Sequence, residues 1–209
     1  MAKLCVIDTE TTGLGKFDRS NPERKDYPIS IGAVIIDIYN HDKSIQYLDG
    51  MKSLIRIPCP SKARDTMLIH GIMPEDLENA PKPAEVCKAL TGLITRHDIT
   101  YAAAWNYKFD RHFVDLLFDM AHMRPPSLKW GEMMPERYSS LEKYVSKYVR
   151  DERIRSLEAH DAFNDCIRAL EVYAVLHGYS FYPPQLDEMS TGFTAYTPGI
   201  IGEAMTCQH

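Results

Sequence analysis

The spacing of apolar residues changes along the chain, from strand-like runs in the first third to helical stripes afterwards. A continuous apolar run at residues 3–9, a β-branched segment at 29–38 and a third segment at about 51–57 predict three strands. The links between these strands are short enough for an antiparallel meander. Residues 13–28 are polar and rich in turn-forming residues, and they predict a loop between the first two strands.

Helices are predicted in the remainder of the chain, where apolar side chains recur every three or four positions. Such stripes lie within residues 84–95, 109–120 and 163–174, and a short apolar strand is predicted at 99–105. Strands that are followed by a helix–strand–helix alternation indicate an α/β fold, with a mixed sheet and helices on both faces.

Ser139 and Glu142 have the spacing of a capping box, which predicts the start of a further helix. Residues 1–178 are expected to form one domain, because 209 residues are too few for two well-buried ones. Residues 179–209 lack periodicity, and we expect a tail that is packed on the domain or mobile.

The composition narrows the class of protein. A formal net charge of −5 argues against nucleic-acid binding through bulk positive charge, although carboxylates that gather metal ions remain compatible with it. Five widely spaced cysteines without C-x-x-C spacing indicate neither a zinc ribbon nor a disulfide framework. No apolar run approaches the length of a membrane span. We therefore expect a cytoplasmic protein that does not enter the membrane.

Two carboxylates end the first predicted strand. Alternation along the strand places Asp8 and Glu10 on one face, where they repel each other and are costly to bury unpaired. Neither has a Lys or Arg neighbour, so a bound Mg²⁺ or Mn²⁺ is indicated rather than Zn²⁺. Taken alone, the triplet Asp8-Thr9-Glu10 is more typical of a strand end that is followed by a turn than of a metal site.

Further candidate residues follow later strands and begin helices. Asp110 fits a first-turn acid that the helix dipole favours, and Asn106 fits an N-cap. His160 and Asp165, before and within the last helix, also have structural explanations when each is taken alone. Together, however, four carboxylates at element ends suit a two-metal centre for phosphodiester hydrolysis, with a neutral histidine as general base.

These residues lie in three motifs that resemble those of the DEDDh 3′→5′ exonucleases, the superfamily of polymerase proofreading subunits, ribonuclease T, oligoribonuclease and exodeoxyribonuclease X. The motifs are Ile7–Leu14, Trp105–Asp110 and His160–Asp165, and the five-residue step in the last marks the "h" branch. Ile31-Gly32-Ala33 and Ile69-His70-Gly71-Ile72 resemble two supporting signatures of the family.

The resemblance spans roughly residues 3–177. It implies a ribonuclease-H-like mixed sheet of five strands, the first three antiparallel, and the release of nucleoside monophosphates from 3′ ends. His160 would deprotonate the attacking water. The implied ligands of two Mg²⁺ or Mn²⁺ ions are Asp8, Glu10, Asp110 and Asp165. The implied substrate contacts are Thr9, Thr11, Thr12, Gly13, Leu14, His70, Asn106 and Phe109.

Some positions depart from the family pattern. Trp105 stands where the family often has His, and a place in the core fits it better than a base-stacking platform. Ser30 replaces an acid, which removes a secondary contact. The long loop 13–28 either covers the active site or is solvated.

A basic cluster before His160 is interleaved with acids, which favours a solvated helical face over phosphate tracking. It comprises Lys143, Lys147, Arg150, Arg153 and Arg155.

The expected substrate is the 3′ end of single-stranded DNA, because Asn106–Arg111 and Asp165-Cys166 resemble exodeoxyribonuclease X more than oligoribonuclease. RNA is the alternative, since the same catalytic residues serve exoribonucleases. Further alternatives are a proofreading subunit, with residues 179–209 docking on a polymerase, and a non-catalytic binding module. The complete set of catalytic positions argues against the binding module. Nothing in the sequence indicates a homodimer or a polymerase partner.

Overall fold

A mixed sheet forms the centre of the structure, a computed structural model that describes residues 2–15 and 25–184. Its strands are β1 (Ala2–Thr11), β2 (Pro28–Tyr39), β3 (Ser44–Leu54), β4 (Tyr101–Ala104), β5 (Lys129–Glu132) and β6 (Ser180–Tyr182). Their order across the sheet is β5-β4-β1-β2-β3-β6. The first three strands are antiparallel and the other three pair in parallel with their neighbours. The predicted mixed sheet with an antiparallel meander is confirmed.

Helices cover both faces of the sheet, as predicted. They are α1 (Met67–His70), α2 (Pro74–Glu78), α3 (Pro83–Arg96), α4 (Tyr107–Met120), α5 (Leu141–Tyr148), α6 (Glu152–Arg155) and α7 (Ala162–His177), and a 3-10 turn (Pro60–Asp65) precedes α1. Side chains of α3 and α4 form one apolar core with the sheet, and those of α5 and α7 form another on the opposite face. No helix in the described part of the chain is long and apolar enough to cross a membrane.

Alternation along β1 directs its side chains to the two cores in turn. Ile7 packs in the core of α3 and α4, whereas Val6 packs in the core of α5 and α7. Because side chains in a strand alternate between faces, Asp8 and Glu10 follow Val6 to the α7 side, and Thr9 follows Ile7 to the α4 side. The end of β1 therefore offers polar groups to helices on both faces.

The first turn of α7 lies unusually close to the sheet. Gly32 of β2 pairs with Asp8 across the sheet, and a Cβ atom at Gly32 would lie 2.4 Å from the carbonyl carbon of Ala162. A side chain larger than hydrogen would collide with the backbone there, so the glycine permits this approach. As a result, Asp165 in the first turn of α7 lies over the end of β1.

Two expectations about strands were wrong. The third strand was predicted at about residues 51–57 but spans Ser44–Leu54, because pairing with β2 begins directly after the turn, at Tyr39 opposite Ser44. Polar residues in its first half conceal it from a pattern of apolar residues. The sheet also has six strands rather than five, since residues 180–182 of the predicted tail pair with the exposed edge of β3. Residues 185–209 lie outside the described residues.

The predicted capping box is displaced by one residue. Ser140, not Ser139, caps α5, and its hydroxyl accepts the backbone N–H of Lys143 at 3.4 Å. The carboxylate of Glu142 instead contacts the guanidinium of Arg168 on α7. The predicted helix is present, but Glu142 belongs to a tertiary contact rather than to the cap.

Candidate functional site

Acidic side chains from three elements meet at the end of β1. Oxygens of Glu10 and Asp165 and a ring nitrogen of His160 all lie within 4.8 Å of one another, a grouping that can hold a metal ion. Glu10 and Asp165 were predicted as ligands, whereas His160 was predicted as a base. The other two predicted ligands, Asp8 and Asp110, lie outside this group but close enough for their charges to act on it.

Asp110 is tied directly to β1. Its Oδ1 accepts hydrogen bonds from the backbone N–H of Thr9 at 3.1 Å and from the Thr9 hydroxyl at 3.0 Å. The side chain is 3% exposed and belongs to the first turn of α4, which begins shortly after β4 ends. Since β4 pairs in parallel with β1, the start of α4 is placed beside the end of β1.

The buried carboxylates hold protons more tightly than carboxylates in water. Burial, followed by the negative charges of Asp110, Asp165 and Glu10, raises the pKa of Asp8 well above its usual range. Burial, followed by the negative charges of Asp165, Asp110 and Asp161, raises the pKa of Glu10 to about 8. Burial raises the pKa of Asp110 to about 7, although its bonds from Thr9 oppose the shift. No Lys or Arg among the described residues forms an ion pair with these three carboxylates, so the cluster fits a bound cation.

Asp165 is held at both of its carboxylate oxygens. Oδ1 accepts a hydrogen bond from Nη1 of Arg168 at 2.8 Å, and Oδ2 accepts one from the backbone N–H of His160 at 3.1 Å. Burial raises the pKa of Asp165, and the pair with Arg168 lowers it in part. The side chain of Arg168 is 3% exposed and also contacts Glu142 of α5. The carboxylate therefore has a fixed orientation.

His160 presents an exposed imidazole from a fixed backbone. Its φ of +59° lies in the left-handed region, which residues other than glycine adopt only when the surroundings hold them there. Asp161 supplies that restraint, because its Oδ1 accepts the N–H groups of Phe163 at 3.1 Å and Asn164 at 3.2 Å. Its Oδ2 forms an ion pair with Lys52 of β3.

The hairpin that follows Glu10 is stabilised by its own hydroxyl groups. Thr11 donates a hydrogen bond to the carbonyl of Gly13 at 2.7 Å, and the hydroxyl of Thr12 accepts the N–H of Tyr27 at 2.9 Å. Both hydroxyls are thus used within the protein. Leu14, in contrast, is 90% exposed. Residues 16–24 lie outside the described residues, so the question of whether loop 13–28 covers the site is untested.

His70 connects α1 to this hairpin. Its Nδ1 accepts the N–H of Ile72 at 3.0 Å, so Nε2 carries the proton and faces the hydroxyl oxygen of Thr66 at 2.8 Å. The Thr66 hydroxyl in turn donates to the carbonyl of Thr11 at 3.0 Å. Burial, and then the charge of His160, lower the pKa of His70, which favours this neutral form. His70 and His160 both line a cavity of about 250 Å³ beside Glu10.

The second motif contributes both surface and core. Asn106 occupies the N-cap position of α4 but its exposed side chain makes no capping bond. Phe109 is half-buried, with its ring centroid 4.9 Å from that of Phe113. Trp105 is buried and donates its indole N–H to the carbonyl of Ser139 at 2.9 Å, which confirms its expected place in the core.

Two of the basic residues before His160 form ion pairs with acidic residues close to them in the sequence. Arg153 forms an ion pair with Asp151 at 2.6 Å, and Arg155 forms one with Glu152 at 3.1 Å. These pairs agree with the solvated helical face that was favoured from the sequence.

Sequence analysis missed three residues that hold the site together, namely Lys52, Asp161 and Arg168. A signal was present for Arg168, because an arginine three residues after Asp165 interrupts an otherwise apolar stripe of α7. The contact between Lys52 and Asp161 joins residues 109 positions apart, and no local pattern reports it.

Comparison with known families gives a match over most of the chain. The RNase_T family model, described as an exonuclease, matches residues 5–173. None of the curated proteins that were compared with the chain matched its sequence.

Several solved structures share the fold at low sequence identity. The nuclease domain of 3′hExo, a DEDDh family member bound to rAMP, has a TM-score of 0.61 and 14% identity, covering 84% of this chain and 92% of that one. A full-length 3′-exonuclease has a TM-score of 0.63 and 15% identity, covering 84% and 82%. E. coli exonuclease I in complex with a dA16 oligonucleotide has a TM-score of 0.61 and 15% identity, covering 86% of this chain but 42% of that enzyme. The shared fold confirms the expected ribonuclease-H-like architecture.

Proposed function

The chain belongs to the RNase T exonuclease family, and from this premise we propose that it is a metal-dependent 3′→5′ exonuclease that releases nucleoside monophosphates from single-stranded DNA. The observation that carries the proposal is the grouping of Glu10, His160 and Asp165 within 4.8 Å, with Asp8 and Asp110 beside it. A buried cluster of carboxylates without a matching number of cations suits divalent metal ions and phosphodiester chemistry.

The four carboxylates fit two Mg²⁺ or Mn²⁺ ions, which prefer oxygen ligands. Asp8, Glu10, Asp110 and Asp165 would hold them. When bound, such ions supply an activated water and stabilise the leaving oxygen of a phosphodiester. The protein's contribution is to fix the ligands, and the bonds from Thr9 to Asp110 restrain one of them before any ion arrives.

His160 is proposed as the general base, which takes the proton of the attacking water on an unprotonated ring nitrogen. Histidine is the side chain best suited to accept a proton near neutral pH. The exposed ring can reach solvent, while the capping bonds of Asp161 and the contact of its own N–H with Asp165 fix the backbone. Asp165, a proposed metal ligand, therefore also restrains the backbone of the proposed base.

The 3′-terminal nucleotide would lie against the hairpin after β1. Leu14 is exposed and would pack against the terminal base, and the backbone from Thr9 through Thr11 and Thr12 to Gly13 would contact its sugar and phosphate. Further proposed contacts come from His70, Asn106 and Phe109. The internal hydrogen bonds of the hairpin support this arrangement, because a fixed backbone binds a ligand with less loss of entropy.

Single-stranded DNA is proposed as the preferred substrate from the likeness of Asn106–Arg111 and Asp165-Cys166 to exodeoxyribonuclease X. Exonuclease I of E. coli, which shares the fold, is seen with a DNA oligonucleotide. RNA is the second candidate, since 3′hExo shares the fold and is seen with rAMP. Contacts to the sugar 2′ position decide between the two.

One digestion experiment tests the proposal. Matched single-stranded DNA, duplex DNA and RNA, each labelled at either end, are incubated with the protein in Mg²⁺ or EDTA. We expect mononucleotides from the 3′ end of single-stranded DNA in Mg²⁺ and none in EDTA. Faster digestion of RNA would identify an exoribonuclease, and no hydrolysis of any substrate would overturn the enzymatic proposal in favour of a binding module.

A further inference from the structure

A second polar cavity lies beside the candidate active site, and Asn106 is the one residue of its wall that the function proposed above uses. It has a volume of about 330 Å³ and lies between the start of α4, the end of β5 and the loop after β5. We call it the Tyr138 pocket. Its walls include Asn106, Tyr107, Lys108, Glu132, Arg137 and Tyr138.

The Tyr138 pocket lies about one helical turn from the catalytic carboxylates. The backbone N–H of Asp110 donates to the carbonyl of Asn106 at 3.2 Å, so the two residues occupy successive turns of α4. Asn106 and Lys108 line the pocket, while Asp110 belongs to the active site. A strand with its 3′ end at the carboxylates therefore has this pocket within reach of its neighbouring nucleotides.

The loop that forms the far wall of the pocket is fixed by Trp105. The backbone carbonyl of Trp105 accepts the N–H of Met134 at 3.1 Å, and its indole N–H donates to the carbonyl of Ser139. Ser139 also donates its hydroxyl to the carbonyl of Glu136 at 2.7 Å. Tyr138, between these anchors, has a φ of +64° and a side chain that is 83% exposed. The loop thus holds an aromatic ring out in solvent.

The groups in the pocket match the chemistry of a single-stranded nucleic acid. The guanidinium of Arg137 lies 4.7 Å from the ring centroid of Tyr138, and Lys108 is exposed. Glu132 is the acid in the wall, and its Oε1 faces the backbone N–H groups of Tyr107 at 3.4 Å and Met134 at 3.5 Å. Two cations and an exposed aromatic ring provide a stacking surface for a base and charges for phosphates.

We propose that the Tyr138 pocket binds a nucleotide of the substrate strand that lies further to the 5′ side than the last two nucleotides. The base stacks on Tyr138, and Lys108 and Arg137 pair with the adjacent phosphates. The proposal rests on the proposed exonuclease function, and it adds a second subsite that favours longer single strands over dinucleotides. Because the positive charge is concentrated at this pocket, the proposal also explains how a protein with a formal net charge of −5 binds an anionic strand.

The test compares kcat/KM for a hexanucleotide with kcat/KM for a dinucleotide of the same 3′ sequence. Tyr138→Asn removes the ring while suiting the left-handed backbone, and Tyr138→Phe retains the ring. We expect Tyr138→Asn to lower the hexanucleotide-to-dinucleotide ratio about tenfold and Tyr138→Phe to keep it, because stacking is lost only in the first variant. Tyr182→Ala is the matched control, an exposed tyrosine on β6 at the opposite edge of the sheet.

A second measurement tests the charges. In EDTA, which prevents cleavage, fluorescence anisotropy gives the affinity for a 5′-labelled hexanucleotide as a function of salt. Replacing both Lys108 and Arg137 with Gln should reduce the slope of log affinity against log salt by about 1 to 1.5, as expected for two phosphate contacts on a single strand.

Two outcomes would overturn the proposal. An unchanged length ratio in Tyr138→Asn would show that the ring does not contact the strand, and an equal loss on both substrates would show a structural effect on the active site. Failure of the underlying function appears differently, as no product from either substrate with the unmodified protein. Binding of the hexanucleotide in EDTA still reports on the pocket in that case.

Discussion

Arg168 donates a hydrogen bond from Nη1 to Oδ1 of Asp165 at 2.8 Å, from a side chain that is 3% exposed. This contact makes Arg168 a positioning residue, because it fixes the carboxylate without reaching the substrate itself. Glu142 of α5 contacts the same guanidinium from the other side. The orientation of one proposed metal ligand therefore depends on packing between α5 and α7.

Arg168→Gln should destabilise the protein and slow hydrolysis. Loss of a buried cation leaves Asp165 without its partner, and we expect the free energy of unfolding in EDTA to fall by about 3 kcal/mol. Urea unfolding measures this loss, and kcat should fall as the carboxylate turns away. Glu142→Gln is the control, because Glu142 is 62% exposed and its removal should cost about 1 kcal/mol or less. An equal loss of unfolding free energy in both variants would contradict the assignment of Arg168 as the residue that positions Asp165.

Asp8→Ala should abolish metal-dependent digestion of a 3′-labelled oligonucleotide. Asp8 lies among the carboxylates at the end of β1, and its removal takes away a ligand that the other side chains cannot replace. Asp119→Ala serves as the control, since Asp119 is exposed near the other end of α4 and should leave the rate unchanged. Activity in Asp8→Ala would contradict the two-metal proposal.

His160→Ala should lower kcat by about 10² to 10⁴, the usual contribution of a general base. The affinity for Mn²⁺, measured by calorimetry, should remain nearly the same if the imidazole moves a proton. A large loss of Mn²⁺ affinity would instead make His160 a ligand, which its grouping with Glu10 and Asp165 within 4.8 Å permits. His41→Ala, at another exposed histidine, should change neither quantity.

The benefit of Mg²⁺ to stability should increase with pH. The pKa of Glu10 rises from 4.5 to about 8 on folding, and that of Asp110 from 3.8 to about 7. At a pH between the unfolded-state and folded-state pKa of either carboxyl group, the folded state binds more protons than the unfolded state. Without metal, the free energy of unfolding therefore falls as pH rises through this range. Mg²⁺ needs ionised carboxylates, so its effect on Tm should be larger at about pH 8 than at about pH 6. Glu10→Gln should weaken this dependence, and a pH-independent Mg²⁺ effect would contradict it.

Gly32→Ala should destabilise the protein by about 1–3 kcal/mol, because its new methyl group would meet the backbone of Ala162 and overpack the contact. Activity should fall as well, since the first turn of α7 carries Asp165. Gly92→Ala is the matched control on α3, where a Cβ meets nothing within 4 Å. That variant should instead gain about 1 kcal/mol from helix propensity. Thermal and urea unfolding measure both changes.

Much of the architecture follows from local patterns in the sequence. The predicted stripe at 84–95 corresponds to α3 and the stripe at 163–174 to α7, since apolar residues at helical spacing predict a helix. The shared face of Asp8 and Glu10 follows in the same way from strand alternation. The predicted position of β3 was displaced, and β6 was missed. Both errors arose because sheet pairing, rather than the apolar residues of these strands, determines where they begin.

The contacts that hold the residues of the candidate site in place were harder to predict. Thr9 bonds to Asp110 across 101 positions and Lys52 contacts Asp161 across 109, so neither relation leaves a periodic signal. The predicted cap at Ser139 failed for a related reason, because Glu142 serves a tertiary partner on α7. The sequence predicted the groups to which the chemistry is assigned under the proposal, and it missed most of the groups that hold them in place.

The close approach of α7 to Gly32 also has a consequence for synthesis on the ribosome. The carboxylates come from positions 8, 10, 110 and 165, and the last of them reaches the sheet only when α7 has docked. A nascent chain lacks its fourth carboxylate until nearly the whole domain has been translated. We therefore expect the proposed activity toward nucleic acid to appear only after that point in synthesis.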